Sequence, residues 1–136
     1  MNKIMSLDVG TKRIGVALSD FLHIVASGNC AIQRYPNDEA IEKIKKIADK
    51  NTVKTIVVGL PFNMDGSKGE QAKDCTDFAD NFKEDFEVVF EDERLTSMQA
   101  EENLKSRKID FKKNKELVDI ESACIILEQY LSRVKI

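Results

Sequence analysis

Two apolar runs near the N-terminus, separated by a short segment that contains glycine, constrain the fold more than any other feature of the chain. The runs are Lys3–Leu7 and Ile14–Ser19, and the hexapeptide Asp8–Arg13 joins them. Strand-like runs joined by a short turn with glycine are typical of a β-hairpin. The chain is therefore predicted to begin with two antiparallel strands of a sheet.

The segments that follow alternate between strand and helix patterns. A third strand is predicted at Cys30–Arg34, after which Pro36 breaks the pattern and Asn37 can cap a helix. The remaining predicted elements are strands at Thr55–Gly59 and Glu87–Phe90, a helix that ends near Lys83, a helix from Thr96 to about Lys105 and a helix from about Val118 to Arg133. This order predicts an α/β fold, a five-stranded mixed sheet flanked by helices on both faces, in a single domain over residues 1–136.

Composition excludes several classes of protein. With 136 residues, of which 42% are hydrophobic and 33% charged, the chain is not collagen-like, low-complexity or disordered. No window approaches the ~18 consecutive apolar residues of a membrane span, and the N-terminus runs directly into the first strand instead of an apolar leader. We therefore expect a cytoplasmic protein without a membrane partner.

Cysteine and histidine usage narrows the chemistry. The 3 cysteines lie far apart and form no Cys-x-x-Cys pair, which argues against a disulfide framework and against a zinc site. The chain has 1 histidine, His23, so catalytic triads that need histidine are disfavoured. Any catalysis is expected to use carboxylates, lysines or hydroxyls.

Positive charge is concentrated in one segment, although the net charge of the chain is −3. Asp110 is the acidic residue of the segment Lys105–Lys115, whose cations are Lys105, Arg107, Lys108, Lys112, Lys113 and Lys115. Two interpretations stay open. The segment is either a solvated surface loop, or a strip that contacts the phosphates of nucleic acid and gains affinity by releasing counterions.

Acidic residues stand at the ends of two predicted strands. Asp8 follows the first strand, in phase with Ile4 and Ser6, where it either caps the turn or holds a charged group. Glu91–Glu93 ends the fifth strand, and its three adjacent carboxylates repel one another. This repulsion is tolerable in a surface turn exposed to water, and a bound divalent cation would offset it. If one strand lies between the first and the fifth, the backbones of Asp8 and Glu93 are about 10 Å apart, so a contact between the two acids would require the Glu93 side chain to lean across.

The turn between the first two strands has the glycine spacing of a phosphate-binding loop. However, Val16 and Ala17 replace the Lys-Ser/Thr of such a loop, and a strand follows instead of a helix, so a P-loop is excluded. The backbone amides of this turn and the cations of Lys12 and Arg13 remain available to a phosphate.

The final helix separates two acids near its start. At about 100° per residue, Asp119 lies in the apolar arc beside Ile126 and Tyr130, whereas Glu121 shares a more polar flank with Glu128. A buried carboxylate needs a cation or a hydrogen-bond donor, although an acid near a helix N-terminus also gains from the helix dipole. We expect Asp119 to face the sheet and Glu121 to face solvent.

Four blocks of the sequence are similar to motifs of one protein family. The blocks are Leu7–Ala17, Val58–Pro61 with Asn63–Ser67, Asp92–Ser97, and Val118-Asp119 ahead of Ser122-Ala123 and Ile125–Leu127. They follow the family's order and span nearly the whole chain, and on these blocks the chain resembles the YqgF/RuvX family. The resemblance implies an RNase H-like fold related to Holliday-junction resolvases, and a nuclease that acts on the 5′ end of pre-16S ribosomal RNA.

The resemblance also implies the site residues. Asp8, Glu93 and Asp119 would form a catalytic acidic triad that binds Mg²⁺ or Mn²⁺, and two such cations can hydrolyse a phosphodiester without histidine. Nucleic-acid contacts are expected from Thr11, Lys12, Arg13, Arg94, Lys108, Lys112 and Lys113. The expected partner is structured RNA, with branched DNA and a homodimer left open.

Two other functions stay open. A nucleic-acid-binding module of the same fold could act in ribosome maturation or transcription through a partner, without appreciable cleavage, because a fold does not determine an activity. A sugar-kinase or actin-like phosphotransferase also begins with Asp-x-Gly-Thr, as at Asp8–Thr11, but 136 residues supply one lobe where such enzymes close two around ATP. Divalent-dependent cleavage and ATP binding are the observations that separate these functions.

Overall fold

A computed structural model gives the fold over residues 1–61, 65, 69–93, 96–110 and 113–134, with residues 96–98 described by their backbone. The strands are β1 (Lys3–Val9), β2 (Arg13–Ser19), β3 (Ala26–Gln33), β4 (Val53–Leu60) and β5 (Glu87–Asp92). The helices are α1 (Asn37–Lys50), α2 (Glu70–Ala79), α3 (Thr96–Ser106) and α4 (Lys115–Val134), and a 3₁₀ turn, Asp80–Phe82, follows α2. None of the helices in these ranges is long and apolar enough to cross a membrane.

The five strands form one mixed sheet in the order β3-β2-β1-β4-β5. β1 pairs antiparallel with β2, and β2 with β3, which confirms the predicted N-terminal hairpin. β1 runs parallel to β4, and β4 runs parallel to β5. The carboxyl ends of β1, β4 and β5 therefore meet at one edge of the sheet, the edge at which open α/β sheets bind ligands.

Several element boundaries differ from the sequence prediction by a few residues. β3 begins at Ala26, ahead of the predicted start at Cys30, because backbone pairing with β2 extends this edge strand through residues that stay exposed and give no apolar signal. α1 begins at Asn37 itself; its cap position is Pro36 and no side chain caps it, so the predicted Asn37 cap is wrong.

The two faces of the sheet carry separate hydrophobic cores. α1 and α2 cover one face, on which Met5 and Leu7 of β1 are fully buried. α4 covers the other face, where Ile4 lies in the same core as Ala123. On that face the hydroxyl of Ser6 donates a hydrogen bond of 2.6 Å to the carbonyl oxygen of Ala123. The alternation of side chains along β1 thus assigns each residue to one helical layer.

Gly15 of β2 allows α4 to lie directly against the sheet. A Cβ atom at this position would be 2.0 Å from the carbonyl oxygen of Asp119, so no side chain fits there. Gly15 is also the residue of β2 that pairs with Asp8 of β1. The close approach of α4 therefore brings Asp119 to the same level of the sheet as Asp8.

Candidate active site

Asp8 lies near the carboxyl end of β1, half-buried between the sheet and α4. Its phase with Ile4 and Ser6 places it on the face that α4 covers, which agrees with the sequence prediction. This position removes the carboxylate from bulk water, so a neighbouring group must compensate its charge.

Glu93 reaches Asp8 from the far side of a strand. It follows β5, and its backbone N–H donates a hydrogen bond of 3.1 Å to the carbonyl oxygen of Leu60 in β4. Although β4 separates β5 from β1, the carboxyl group of Glu93 forms a hydrogen bond with that of Asp8. The side chain crosses β4 above Gly59, where a Cβ atom would be 2.5 Å from Glu93 Oε2. Two of the three predicted acids are therefore in contact.

Sequence reasoning missed the part that Gly59 plays in this contact. A glycine inside an apolar strand marks a place where another group approaches the backbone closely. That signal is present in Val53–Leu60, but it does not say which group approaches, because the answer depends on the side chain that follows β5.

Both carboxyl groups of this contact have a raised pKa, and burial is the main cause for each. Burial is the main cause that raises the pKa of Glu93, and the negative charge of Asp8 raises it further. Burial also raises the pKa of Asp8, the hydrogen bond with Glu93 lowers it, and the charge of Asp119 raises it. The pair therefore retains a proton at pH values where free carboxyl groups are ionised. A divalent cation that replaces this proton would relieve the repulsion.

Asp119, the third predicted acid, pairs with an arginine. Its Oδ2 accepts a hydrogen bond of 2.6 Å from Arg13 Nε, and the two side chains are 22% and 26% exposed, respectively. Asp119 faces the sheet, as predicted, and its charge acts on Asp8. Over the described ranges, no group of three or more His, Cys, Asp or Glu side chains lies close enough to hold a metal ion. Glu93 therefore contacts Asp8 directly, whereas Asp119 acts on Asp8 through its charge and is held by Arg13.

The prediction that Glu121 faces solvent is wrong, because its side chain is mostly buried against neighbouring residues. It accepts hydrogen bonds from Arg107 Nη2 at 3.0 Å and from Asn103 Nδ2 at 3.3 Å; Asn103 lies on α3 and Arg107 directly follows it. Its side chain is 21% exposed. The helical wheel placed Glu121 on the flank away from Asp119, but it gave no information about the helix that packs there.

Cationic side chains line a cavity at the N-terminus of α4. The cavity has a volume of about 620 Å³ and is lined by Arg13, Lys113, Asn114, Lys115, Glu116, Leu117 and Ile120. The structure thus joins Arg13 and Lys113, which were predicted separately as nucleic-acid contacts. Lys115 belongs to the predicted cationic segment but was not among the expected nucleic-acid contacts, and it adds a third cation to the cavity.

Three of the other predicted nucleic-acid contacts lie among the described residues. Thr11 and Lys12 are exposed in the turn between β1 and β2. Lys108 is exposed after the end of α3, with a left-handed backbone at φ 59°. Arg94 and Lys112 lie outside the described residues.

Comparison with known sequences identifies relatives over nearly the whole chain. A family model described as "RuvX: Holliday junction resolvase" matches residues 2–133. Relatives from Gloeothece citriformis and Halothermothrix orenii are both named "Putative pre-16S rRNA nuclease". The first is 42% identical over 131 residues, which cover 95% of this chain and 87% of the relative. The second is 43% identical over 132 residues, which cover 96% of this chain and 94% of the relative.

Comparison with solved structures finds the same fold in resolvases. The fowlpox virus Holliday junction resolvase superposes with a TM-score of 0.61 at 12% identity, over 98% of this chain and 99% of the resolvase. T. thermophilus RuvC, solved in complex with a Holliday junction substrate, gives a TM-score of 0.55 at 14% identity, over 98% of this chain and 96% of RuvC. These likenesses confirm the RNase H-like fold.

Proposed function

Because the chain belongs to the RuvX family, we propose that it is a metal-dependent nuclease that hydrolyses phosphodiester bonds in the maturation of the 5′ end of pre-16S rRNA. The names of full-length relatives at about 40% identity support this substrate. The single observation that carries the chemistry is the contact between the Asp8 and Glu93 carboxyl groups at the carboxyl-end edge of the sheet. Such an activity needs access to new RNA, so we place it in the cytoplasm.

The acids of the site fit a hard divalent cation. Asp8 and Glu93 supply oxygen ligands in a position where two negative charges are unfavourable without a counterion. Asp119 would join them as a ligand when it leaves Arg13. When bound, Mg²⁺ or Mn²⁺ would generate a hydroxide nucleophile from water and stabilise the charge on the departing oxygen. No histidine is needed for this chemistry.

The cations around the acids position the nucleic acid. Lys12 and Thr11 stand in the turn that follows the strand of Asp8, and Arg13 and Lys113 line the cavity beside Asp119. We assign phosphate contacts to Thr11, Lys12, Arg13, Lys108 and Lys113, and to Arg94 and Lys112 outside the described residues. The backbone of RNA or DNA is therefore bound locally, although the chain as a whole is acidic.

Cleavage of defined substrates tests this proposal. The purified protein is incubated with a precursor of 16S rRNA and with a four-way DNA junction, each with Mg²⁺, with Mn²⁺ or with a chelator. We expect cleavage of the precursor near its 5′ end in the presence of metal, and none in the chelator. Asp8→Asn, which keeps the size of the side chain, is the matched control and should be inactive.

A second candidate function is favoured by the Arg13–Asp119 ion pair, which already compensates the charge of the third acid, and by the lack of a group of three metal-ligating side chains among the described residues. A module that binds nucleic acid without cleaving it would need no converged set of metal ligands. Metal-independent binding of the precursor, with no cleavage under any of these conditions, would support this candidate against the nuclease.

A further inference from the structure

One arginine faces two different parts of the site. The Nε atom of Arg13 donates to Asp119 Oδ2 at 2.6 Å, and the same side chain lines the cavity that also contains Lys113 and Lys115. Asp119 is a proposed metal ligand, and the cavity is lined by cations that suit a phosphate. Arg13 therefore stands between the proposed metal site and the proposed phosphate site.

Arg13 and a divalent cation would compete for the negative charge of Asp119. The guanidinium group that donates to Asp119 Oδ2 is positively charged and repels a cation bound to the same carboxylate, so the ion pair opposes metal binding. The guanidinium group, once released, keeps its charge and presents a planar fork of donors that matches a phosphate. The cavity beside it already holds Lys113 and Lys115, with Glu116 as its acidic member.

We propose that Arg13 couples the two sites: a nucleic-acid phosphate in the cavity takes Arg13 away from Asp119 and thereby frees Asp119 for a divalent cation. This inference rests on the proposed function and adds to it an order of events. Coupling of this kind is reciprocal, so the cation also favours binding of the nucleic acid. A free protein would bind the metal weakly and a substrate-bound protein would bind it tightly.

The chain offers two matched controls. Arg107 pairs with Glu121 at 3.0 Å on the opposite flank of α4, so Arg107→Gln removes an arginine–carboxylate pair from the same helix. Lys115 lines the cavity, whereas the ion pair of Asp119 is formed by Arg13, so Lys115→Gln removes one cation of the phosphate site alone.

The first experiment measures Mn²⁺ binding by calorimetry in the absence of nucleic acid. We expect Arg13→Gln to bind Mn²⁺ about three- to fivefold more tightly than the wild type, the range of a partly exposed ion pair. Arg107→Gln should bind Mn²⁺ like the wild type. Equal or weaker Mn²⁺ binding by a folded Arg13→Gln protein would overturn the proposal.

The second experiment measures the affinity for a precursor RNA in Ca²⁺ and in chelator, with the RNA checked for integrity on a gel. The ratio of the two affinities reports the coupling. We expect this ratio to fall in Arg13→Gln by the same factor by which Mn²⁺ binding improved. Lys115→Gln should weaken RNA binding in both conditions and leave the ratio unchanged.

The outcomes separate this inference from the proposed function. If the wild type binds and cleaves RNA but the ratio is unchanged in Arg13→Gln, the coupling is wrong and the nuclease stands. If the wild type neither binds nor cleaves RNA, the proposed function fails and the coupling fails with it. Arg13→Met, which keeps the apolar stem of the side chain, replaces Arg13→Gln if the latter does not fold.

Discussion

The carboxyl groups of Asp8 and Glu93 meet in a hydrogen bond although β4 lies between the strands from which they come. The contact depends on Gly59, because any side chain at that position of β4 would occupy the path of Glu93. A strand interior is a costly place for glycine, and here the missing side chain makes room for a functional one. The site is thus assembled by three strands and not by a single loop.

Gly59→Ala should separate activity from folding. The new Cβ atom would lie 2.5 Å from Glu93 Oε2 and 2.6 Å from Ile126 Cδ1, both of which are the far ends of flexible side chains that can move. We expect a loss of stability of about 1–3 kcal/mol, a folded protein, and a large loss of metal-dependent cleavage. Thermal unfolding and cleavage assays on the same sample measure the two effects, and normal cleavage would show that Glu93 does not need the open path above Gly59.

Gly15→Ala should mainly reduce the stability of the fold, in contrast to Gly59→Ala, which should mainly reduce activity. The Cβ atom there would lie 2.0 Å from the backbone oxygen of Asp119, and a helix backbone cannot move aside without losing its packing on β2. We expect a destabilisation of more than about 3 kcal/mol, among the larger effects of single substitutions. Urea unfolding monitored by circular dichroism checks this, and a nearly unchanged midpoint would mean that α4 sits farther from the sheet.

Glu93→Gln should stabilise the metal-free protein at alkaline pH. The pKa of Glu93 is raised in the folded state, so the folded protein binds more protons than the unfolded chain, and the wild type loses stability as the pH rises above the ordinary glutamate pKa of 4.5 toward the raised value. The amide of glutamine does not ionise. In chelator at pH 8 we expect Glu93→Gln to be more stable than the wild type by at least about 1 kcal/mol.

Two comparisons control the Glu93→Gln measurement. At pH 4 both proteins carry a neutral side chain at this position, so the difference in unfolding free energy should shrink. Saturating Mg²⁺ at pH 8 should stabilise the wild type more than the variant. A Glu93→Gln protein that is less stable than the wild type at pH 8 would argue against the proton-sharing pair.

Asp119→Asn and Glu121→Gln should differ in activity although both acids are about equally exposed. Asp119 lies beside Asp8 and is expected to be a metal ligand, so Asp119→Asn should abolish cleavage and weaken Mn²⁺ binding. Glu121 binds Asn103 of α3 and Arg107 just after it, so Glu121→Gln should cost no more than about 1 kcal/mol of stability and leave activity near normal. An inactive Glu121→Gln protein with normal stability would reverse the assignment.

Replacing Lys108, Lys112 and Lys113 together with glutamine should weaken binding of nucleic acid about equally for all sequences. The slope of log affinity against log salt should flatten by up to ~0.9 for each phosphate of a duplex that the variant no longer neutralises. Replacing Lys43, Lys46 and Lys50 of α1 makes the same change of charge on the opposite side of the sheet and should leave the slope nearly unchanged. Equal slopes for both triple variants would identify the strip as solvated surface.

Local patterns determined much of the fold and the chemical character of the site. The hairpin of β1 and β2 follows from two apolar runs and a short glycine turn, and the period of two along β1 places Asp8 on the α4 face. The period of α4 directs Asp119 toward the sheet. These features depend on residues close together in the sequence, so the local pattern of apolar and polar residues is sufficient to predict them.

Only the tertiary structure decided which of these groups meet. The contact of Glu93 with Asp8 needs the strand order β1-β4-β5 and the open path above Gly59, and the pairing of Asp119 with Arg13 needs α4 packed against Gly15. Glu121 pairs with Arg107 for the same reason. Periodicity defines the direction of a side chain on its own element, whereas the partner it meets is set by long-range packing, which no local pattern contains.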